Sequence, residues 1–266
     1  LTQKGYHSLW VWPILLIAIF FIVNFIITNR QATHPIVHFH TLFSKKPFVG
    51  ATMAISSHLT LLTGIAGINV YIVRILKLPF DISLHFYFFF FVGVIITGIL
   101  KMFFYSSVGA GFLGTLGSSA LLYVSIHWII LGNTINIPLL YIQGLLLGFG
   151  ASMTLVSGSM ATLLDGDLKE AAQRSQTMHT IRNFSAAMLI PIIAYTIKNH
   201  IQKGTQSIYA ENITDKMIYL KKLQDVAIDA DHQIFLLMII FNMVMFVSSI
   251  IQMILGKGRR ITPPRE

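Results

Sequence analysis

Stretches of about twenty residues without a charged side chain recur along this chain, each rich in Ile, Leu, Val and Phe. A helix that crosses a bilayer needs about 20 such residues in succession, because backbone placed in hydrocarbon must satisfy its own hydrogen bonds. What remains could not coat a soluble globule: 55% of the 266 residues are hydrophobic and 11% charged, against about 25% charged in soluble domains. The expected fold class is therefore all-α integral membrane, with about seven transmembrane helices and the lipid bilayer as its principal partner.

The first charge-free run lies between Lys4 and Arg30 and is opened by Trp10 and Trp12, whose rings suit the headgroup layer. The linker 31–46 leads to a second run, Pro47 to Val73, closed by Arg74 and Lys77. Pro79 and Asp81 mark a turn, and a third helix is predicted over 82–100, ended by Lys101. No charge then appears until Asp165. That is more chain than one crossing can use at about 1.5 Å per residue, so two helices are expected, divided at Gly132-Asn133-Thr134, with Pro138 opening the second. The charged segment Asp165 to Arg174 precedes a sixth helix, roughly 177–197, with Arg182 near its start and Pro191 inside it. The polar segment 198–231 reads as a loop with a short surface helix over 213–228, where Ile213, Met217, Leu220 and Leu223 recur at helical spacing. A last crossing over 233–255 and a basic tail, 257–266, complete the chain.

The formal net charge of +9 would suggest nucleic acid in a soluble protein. Here Lys and Arg flank the apolar runs and form no basic face with interleaved aromatics, so no nucleic-acid partner is expected. One side of the membrane collects Arg30, Lys45, Lys46, Lys101, Lys169, Arg174, Lys257, Arg259, Arg260 and Arg265, and the other Lys4, Arg74 and Lys77, with five more lysines from 198–231. This bias predicts a multi-pass protein of the cell membrane with a cytoplasmic C-terminus. The chain begins with Leu1, and its first run is too long for a signal peptide; a piece of a longer protein is expected.

Cysteine is absent, which excludes a disulfide framework, a thiolate metal site and a cysteine nucleophile. His34, His38 and His40 sit beside Pro35 in polar surroundings with no carboxylate nearby, so no metal site is expected. Asp165 and Asp167 belong to a solvated segment, no Ser-His-Asp set or phosphate-binding glycine loop is present, and no enzyme activity or cofactor is expected.

Lipid supplies no hydrophobic drive for helices to associate, so small residues and interhelical hydrogen bonds must hold them. Gly111, Gly114 and Gly117 recur every third residue, and Gly144 and Gly148 have GxxxG spacing beside Gly150; all six are candidates for helix packing. By the three-and-four rule Gln143, Leu147, Gly150, Thr154, Ser157 and Ala161 share a face. Ser56, Thr60, Thr63 and Gly67 share another, with His58 and Asn69 on the next. Both helices are expected to border a polar space, which makes His58, Thr60, Thr63, Asn69, Gln143, Thr154 and Ser157 candidate substrate-cavity residues, joined by Asn183 on the sixth helix. His58 and Arg182 are ionisable groups inside membrane runs and functional candidates for that reason. Lys101 and Arg182 carry the gating or structural expectation.

Three segments resemble the fourteen-helix drug:proton antiporter branch of the major facilitator superfamily, the EmrB/QacA type. His34-Pro35-Ile36-Val37 with Leu42-Phe43-Ser44-Lys45-Lys46-Pro47-Phe48 is similar to the link into that family's C-terminal six-helix domain. Pro138-Leu139-Leu140, Gln143-Gly144 and Gly148-Phe149-Gly150 are similar to its glycine-rich helix, and 176–187 around Arg182-Asn183 to the next helix start. The chain departs from the pattern at Ser185-Ala186-Ala187, where the family has a glycine pair, and at Lys101-Met102-Phe103-Phe104, which lacks the Asp and Arg found between helices two and three.

The resemblance implies that 1–30 is the last extra central helix, 31–46 a cytoplasmic linker and 47–256 a six-helix transporter domain with 198–231 external. It further implies secondary transport, proton-coupled efflux of amphipathic drugs or other small organic compounds across a bacterial inner membrane. The energy source would be the proton gradient with no cofactor, and the partners a small-molecule substrate and an N-terminal half carrying the coupling carboxylates, since no carboxylate is read inside a crossing here. A non-transporting seven-helix receptor or sensor is the alternative that seven crossings permit.

Overall fold

The computed structural model describes residues 11–32, 35, 42–164, 168–211 and 215–256. The His34, His38 and His40 trio, Asp165, Asp167, Ile213 and the tail 257–266 lie outside the described residues, as do Lys4 and Trp10.

The described chain is a helical bundle. Helix α1 spans Val11–Gln31, α2 Lys45–Asn69 with a π-helical continuation Val70–Ile75, α3 Phe80–Trp128, α4 Ile137–Leu164, α5 Ala171–Ala210 after a 3-10 turn at Leu168–Glu170, and α6 Lys216–Ile254. Helices α2 to α6 are each long and apolar enough to cross a membrane. Side chains along α1 from Leu16 to Ala32 are exposed apart from Asn29, an outward surface that hydrocarbon can solvate.

Helix α3 is two crossings. Its 49 residues are interrupted at Gly109, whose φ of 81° and ψ of 170° are non-helical and which a residue with a Cβ adopts only under strain. The Phe86 and Trp128 rings lie 6.3 Å apart although 42 positions separate them, so the arms 80–108 and 110–128 run back along one another. Lys101 therefore does not end the third helix, as its charge predicts. The helix continues for two further turns, because the ammonium is satisfied within the bundle by the Ser152 carbonyl at 2.6 Å. A second difference concerns the segment 198–231. Instead of a loop with an isolated surface helix, α5 runs on to Ala210 and α6 begins at Lys216, where Asp215 caps it by accepting from the Met217 and Ile218 amides. Gly204 faces Val226, Tyr209 lies 6.1 Å from Tyr219 and Lys222 pairs with Glu211. At about 1.5 Å per residue the 40 residues of α5 reach roughly 60 Å, twice the ~30 Å hydrocarbon thickness. The two helices thus stand out from one end of the bundle as a hairpin.

Close approach of backbones sets the core. Gly50 packs on Gly158 and Ala161, Gly93 on Leu145 and Phe149, Gly111 on Met253, and Gly114 on Met53 and Ser249. Gly117 meets Met153 and Gly150, and Gly144 and Gly148 meet Phe86 and Phe90. Helix α4 is held between both arms of α3 on one side and α2 on the other. Around it Met53, Ile68, Tyr71, Phe86, Leu121, Trp128, Leu147, Phe235 and Met238 form the main apolar cluster.

Candidate functional site

The polar faces of α2 and α4 meet each other. Ser57 Oγ donates to the Ala151 carbonyl at 3.1 Å and lies 2.6 Å from Thr154 Oγ1. Thr63 donates to the Leu59 and Thr60 carbonyls, 2.9 Å each. Thr60 and Ser157 are fully buried with hydroxyls that find no partner among the described residues. The sequence pattern sets both stripes beside a polar space; in this chain Thr60, Thr63, Thr154 and Ser157 lie inside closed helix seams.

Gln143 and Asn69 belong to the opposite end of the bundle. Trp128 Nε1 donates to Gln143 Oε1 at 2.8 Å, which orients the amide, since an indole can only donate. Gln143 Nε2 is left buried without an acceptor, beside a cavity of about 390 Å³ at the α3–α4 turn lined by His127, Leu131, Gly132 and Asn136. Asn69 accepts from the Tyr87 hydroxyl at 2.8 Å, Tyr71 donates to the Gly132 carbonyl, and the His232 ring contacts the Leu131 carbonyl at 2.8 Å. Trp128→Phe would strand the Gln143 oxygen as well. The expected cost is about 1–3 kcal/mol, checked by the thermal midpoint of the purified protein and by loss of a blue-shifted component from its tryptophan emission.

His58 and Arg182 face one another across the α2–α5 cleft. On α5 Met178 packs against Ala51 and Ala54, and Leu189 and Ile193 pack against Leu59. The stripe Met178, Arg182, Ala186, Leu189 therefore points at α2, and the stripe Ile55, His58, Leu62 points back. The helices run parallel and bring His58 to the level of Arg182, in the middle of the α2 crossing. The Arg182 charge reaches both His58 and His179. Its Nε is buried with no hydrogen-bond partner, while Asn183 on the next face is exposed.

Sequence reasoning misses three polar groups. Arg174, read as part of a solvated segment, is 1% exposed and donates through Nε to the Thr162 carbonyl and through Nη2 to the Leu163 carbonyl, 2.9 Å each; Glu170 lies 3.7 Å away. Asp231, read as the edge of a loop, is 1% exposed, and neither carboxylate oxygen has a partner. Asn242, inside α6, donates to Ser125 Oγ at 3.1 Å. Arg174 lies in the first turn of α5, ten positions past the end of α4 at Leu164, too far along the chain for its bond to that end to be read locally; nothing local distinguishes Asp231 from its exposed neighbour Asp229. Because an unpaired buried charge is costly, Asp231→Asn, which keeps the shape and removes the charge, is expected to leave the thermal midpoint unchanged or raise it.

No protein-family model matches this chain, and no curated protein matches it.

Proposed function

We propose that the chain is the C-terminal half of a major facilitator-type secondary transporter that exports amphipathic small organic compounds. The single observation that supports this is a two-fold pattern in the helix packing. Take α2 with the two arms of α3 as one triplet and α4, α5 and α6 as another. The first member of each packs on the other, antiparallel: Gly50 on Gly158, Ser57 on Thr154. The second member of each packs, in parallel, on the first member of the other: Phe86 and Phe90 on Gly144 and Gly148, Leu189 and Ile193 on Leu59. The third members pack on the first members, Gly117 on Gly150 and Phe235 on Gly67, and on each other, Gly111 on Met253. The triplets enter the membrane from opposite sides. Inverted three-helix repeats of this kind build each half of major facilitator transporters, whose substrate lies at the midplane between halves.

The His58–Arg182 level is the place for substrate on this reading, and the proton gradient is the energy source. Lys45, Lys46 and Lys169 lie at the end of the bundle where the chain turns at Gly109, and the hairpin with its five lysines lies at the other; by the sequence count of ten Lys and Arg against eight, the positive-inside rule favours the first end as the cytoplasmic one on this reading. The absence of cysteine from this chain lets its orientation be tested by single cysteines, in a background with any cysteine elsewhere in the protein replaced. Asn133→Cys is expected to react with an impermeant maleimide on intact cells, and Ser106→Cys only after permeabilisation. Labelling of both from one side would remove the topology. For function, His58→Ala in the full-length protein is expected to shift export among a panel of substrates by several-fold, read as intracellular accumulation. Unaltered accumulation of every compound would take His58 out of the site.

A further inference from the structure

We infer that the α2–α5 cleft binds the negative group of an amphipathic organic anion, with the Arg182 guanidinium as its counter-charge and the His58 and His179 imidazoles flanking it. The inference rests on the transporter reading for the cleft's use, and on geometry alone for the cleft's chemistry.

An arginine in the middle of a membrane crossing is stable when it pairs with a carboxylate, reaches water at the interface or faces a polar cavity. The first solution is absent among the described residues. Helices α2, α4 and α5 contain no Asp or Glu, and α6 has none beyond Asp231. Asp231 precedes Ile234, which packs at the level of Leu189 and Ile193, so the carboxylate sits beyond those residues, on the far side from Arg182. Glu170 lies by Arg174 at the bundle end, 12 positions before Arg182 and roughly 18 Å along the chain at helical rise. The second solution is incomplete: Arg182 is part-exposed, but its Nε is buried and has no hydrogen-bond partner among the described residues. What remains is a buried donor for which the described residues supply no acceptor. Ring nitrogens at His58 and His179 can donate to the same group, and guanidinium presents a planar fork that matches carboxylate, sulfonate or phosphate oxygens. Around this polar centre the part-buried side chains are apolar, Ile55, Leu62 and Ala186, which suits a greasy body attached to the anionic head. A cationic drug would meet like charge here.

Octanesulfonate and octyltrimethylammonium carry the same alkyl body and opposite head charges, and provide the test. Saturable binding to the full-length protein in nanodiscs, above that of empty nanodiscs, is expected for the sulfonate and not for the ammonium. Arg182→Gln is expected to weaken sulfonate binding at least about tenfold, the effect of losing one charge-assisted contact, while Arg182→Lys retains part of it with an unchanged thermal midpoint. Equal binding of the two ions, or sulfonate binding untouched by Arg182→Gln, overturns the proposal. So does a loss of stability in Arg182→Gln with no discrimination between ions, which makes the guanidinium a structural counter-ion to another segment. Selective sulfonate binding without transport of any compound in proteoliposomes keeps the anion site and rejects the transporter reading. Export of the ammonium with no sulfonate binding does the reverse.

Discussion

Gly148→Leu is expected to prevent the bundle from assembling, with loss of the monodisperse species in size-exclusion chromatography of a fluorescent fusion. At this position a Cβ would overlap the Phe90 carbonyl oxygen, and one at Gly93, on the facing arm, would overlap the Leu145 carbonyl. These obstacles are backbone and cannot rotate away. The first arm of α3 would have to retreat along its whole length, and with it the contacts of Phe86 and Phe90 and the hydrogen bond from Thr97 to the Phe149 carbonyl, 3.0 Å. Gly148→Ala asks for a smaller displacement and should cost about 1–3 kcal/mol, the range for overpacking a close-fitted seam. Gly98, where a Cβ would meet nothing within 4 Å, is the control. Alanine there should be neutral or stabilising by up to about 1 kcal/mol through helix propensity. A Gly148→Ala protein as stable as Gly98→Ala would mean that the two helices do not approach as described.

Arg174→Ala is the second large effect expected. Helix α4 ends with carbonyls that have no amide partner, and burial there denies them water. Arg174 supplies two charge-assisted bonds to the Thr162 and Leu163 oxygens, each worth about 1.5–3 kcal/mol. Removing the side chain strands both and opens a cavity, so a loss of roughly 3 kcal/mol or more is expected, read as a lower thermal midpoint together with faster proteolysis between α4 and α5. Arg174→Lys, able to reach one carbonyl, should fall between the two. Glu170→Gln should change little, because its partner bond is long, at 3.7 Å, and its own side chain is 44% exposed.

The contrast between these two sites shows what a sequence can carry. Charge-free runs set the all-helical membrane class and located the turn at Gly132, because continuous apolar runs of about twenty residues fit a spanning helix and are about twice what a barrel strand uses. Lys101 misleads for the same reason that makes the other cations informative. A cation usually marks the membrane boundary, yet this one is satisfied by the Ser152 carbonyl and stays inside. The real break, Gly109, sits in a run of small residues, Ser106 to Gly111, where a glycine for turning cannot be told from a glycine for packing. The polar faces of α2 and α4 are legible as stripes, but a stripe does not say what it faces, and these close on each other through Ser57 and Thr154. Arg182 and His58 are visible as isolated intramembrane groups; that they share one cleft follows only from the parallel packing of α2 and α5. Asp231 is hidden because burial there is imposed by the α6 packing and by no local pattern.

The hairpin formed by the ends of α5 and α6 has a practical consequence. A membrane protein of this kind, wrapped in detergent, offers an electron microscope little to align on, since most of its mass disappears into the belt. Two stiff rods continuous with the core form a mast whose bearing reports the bearing of everything below it. An antibody fragment gripping that mast, or a rigid fusion spliced in place of 212–214, would move as one body with the cleft and make single-particle images of it tractable.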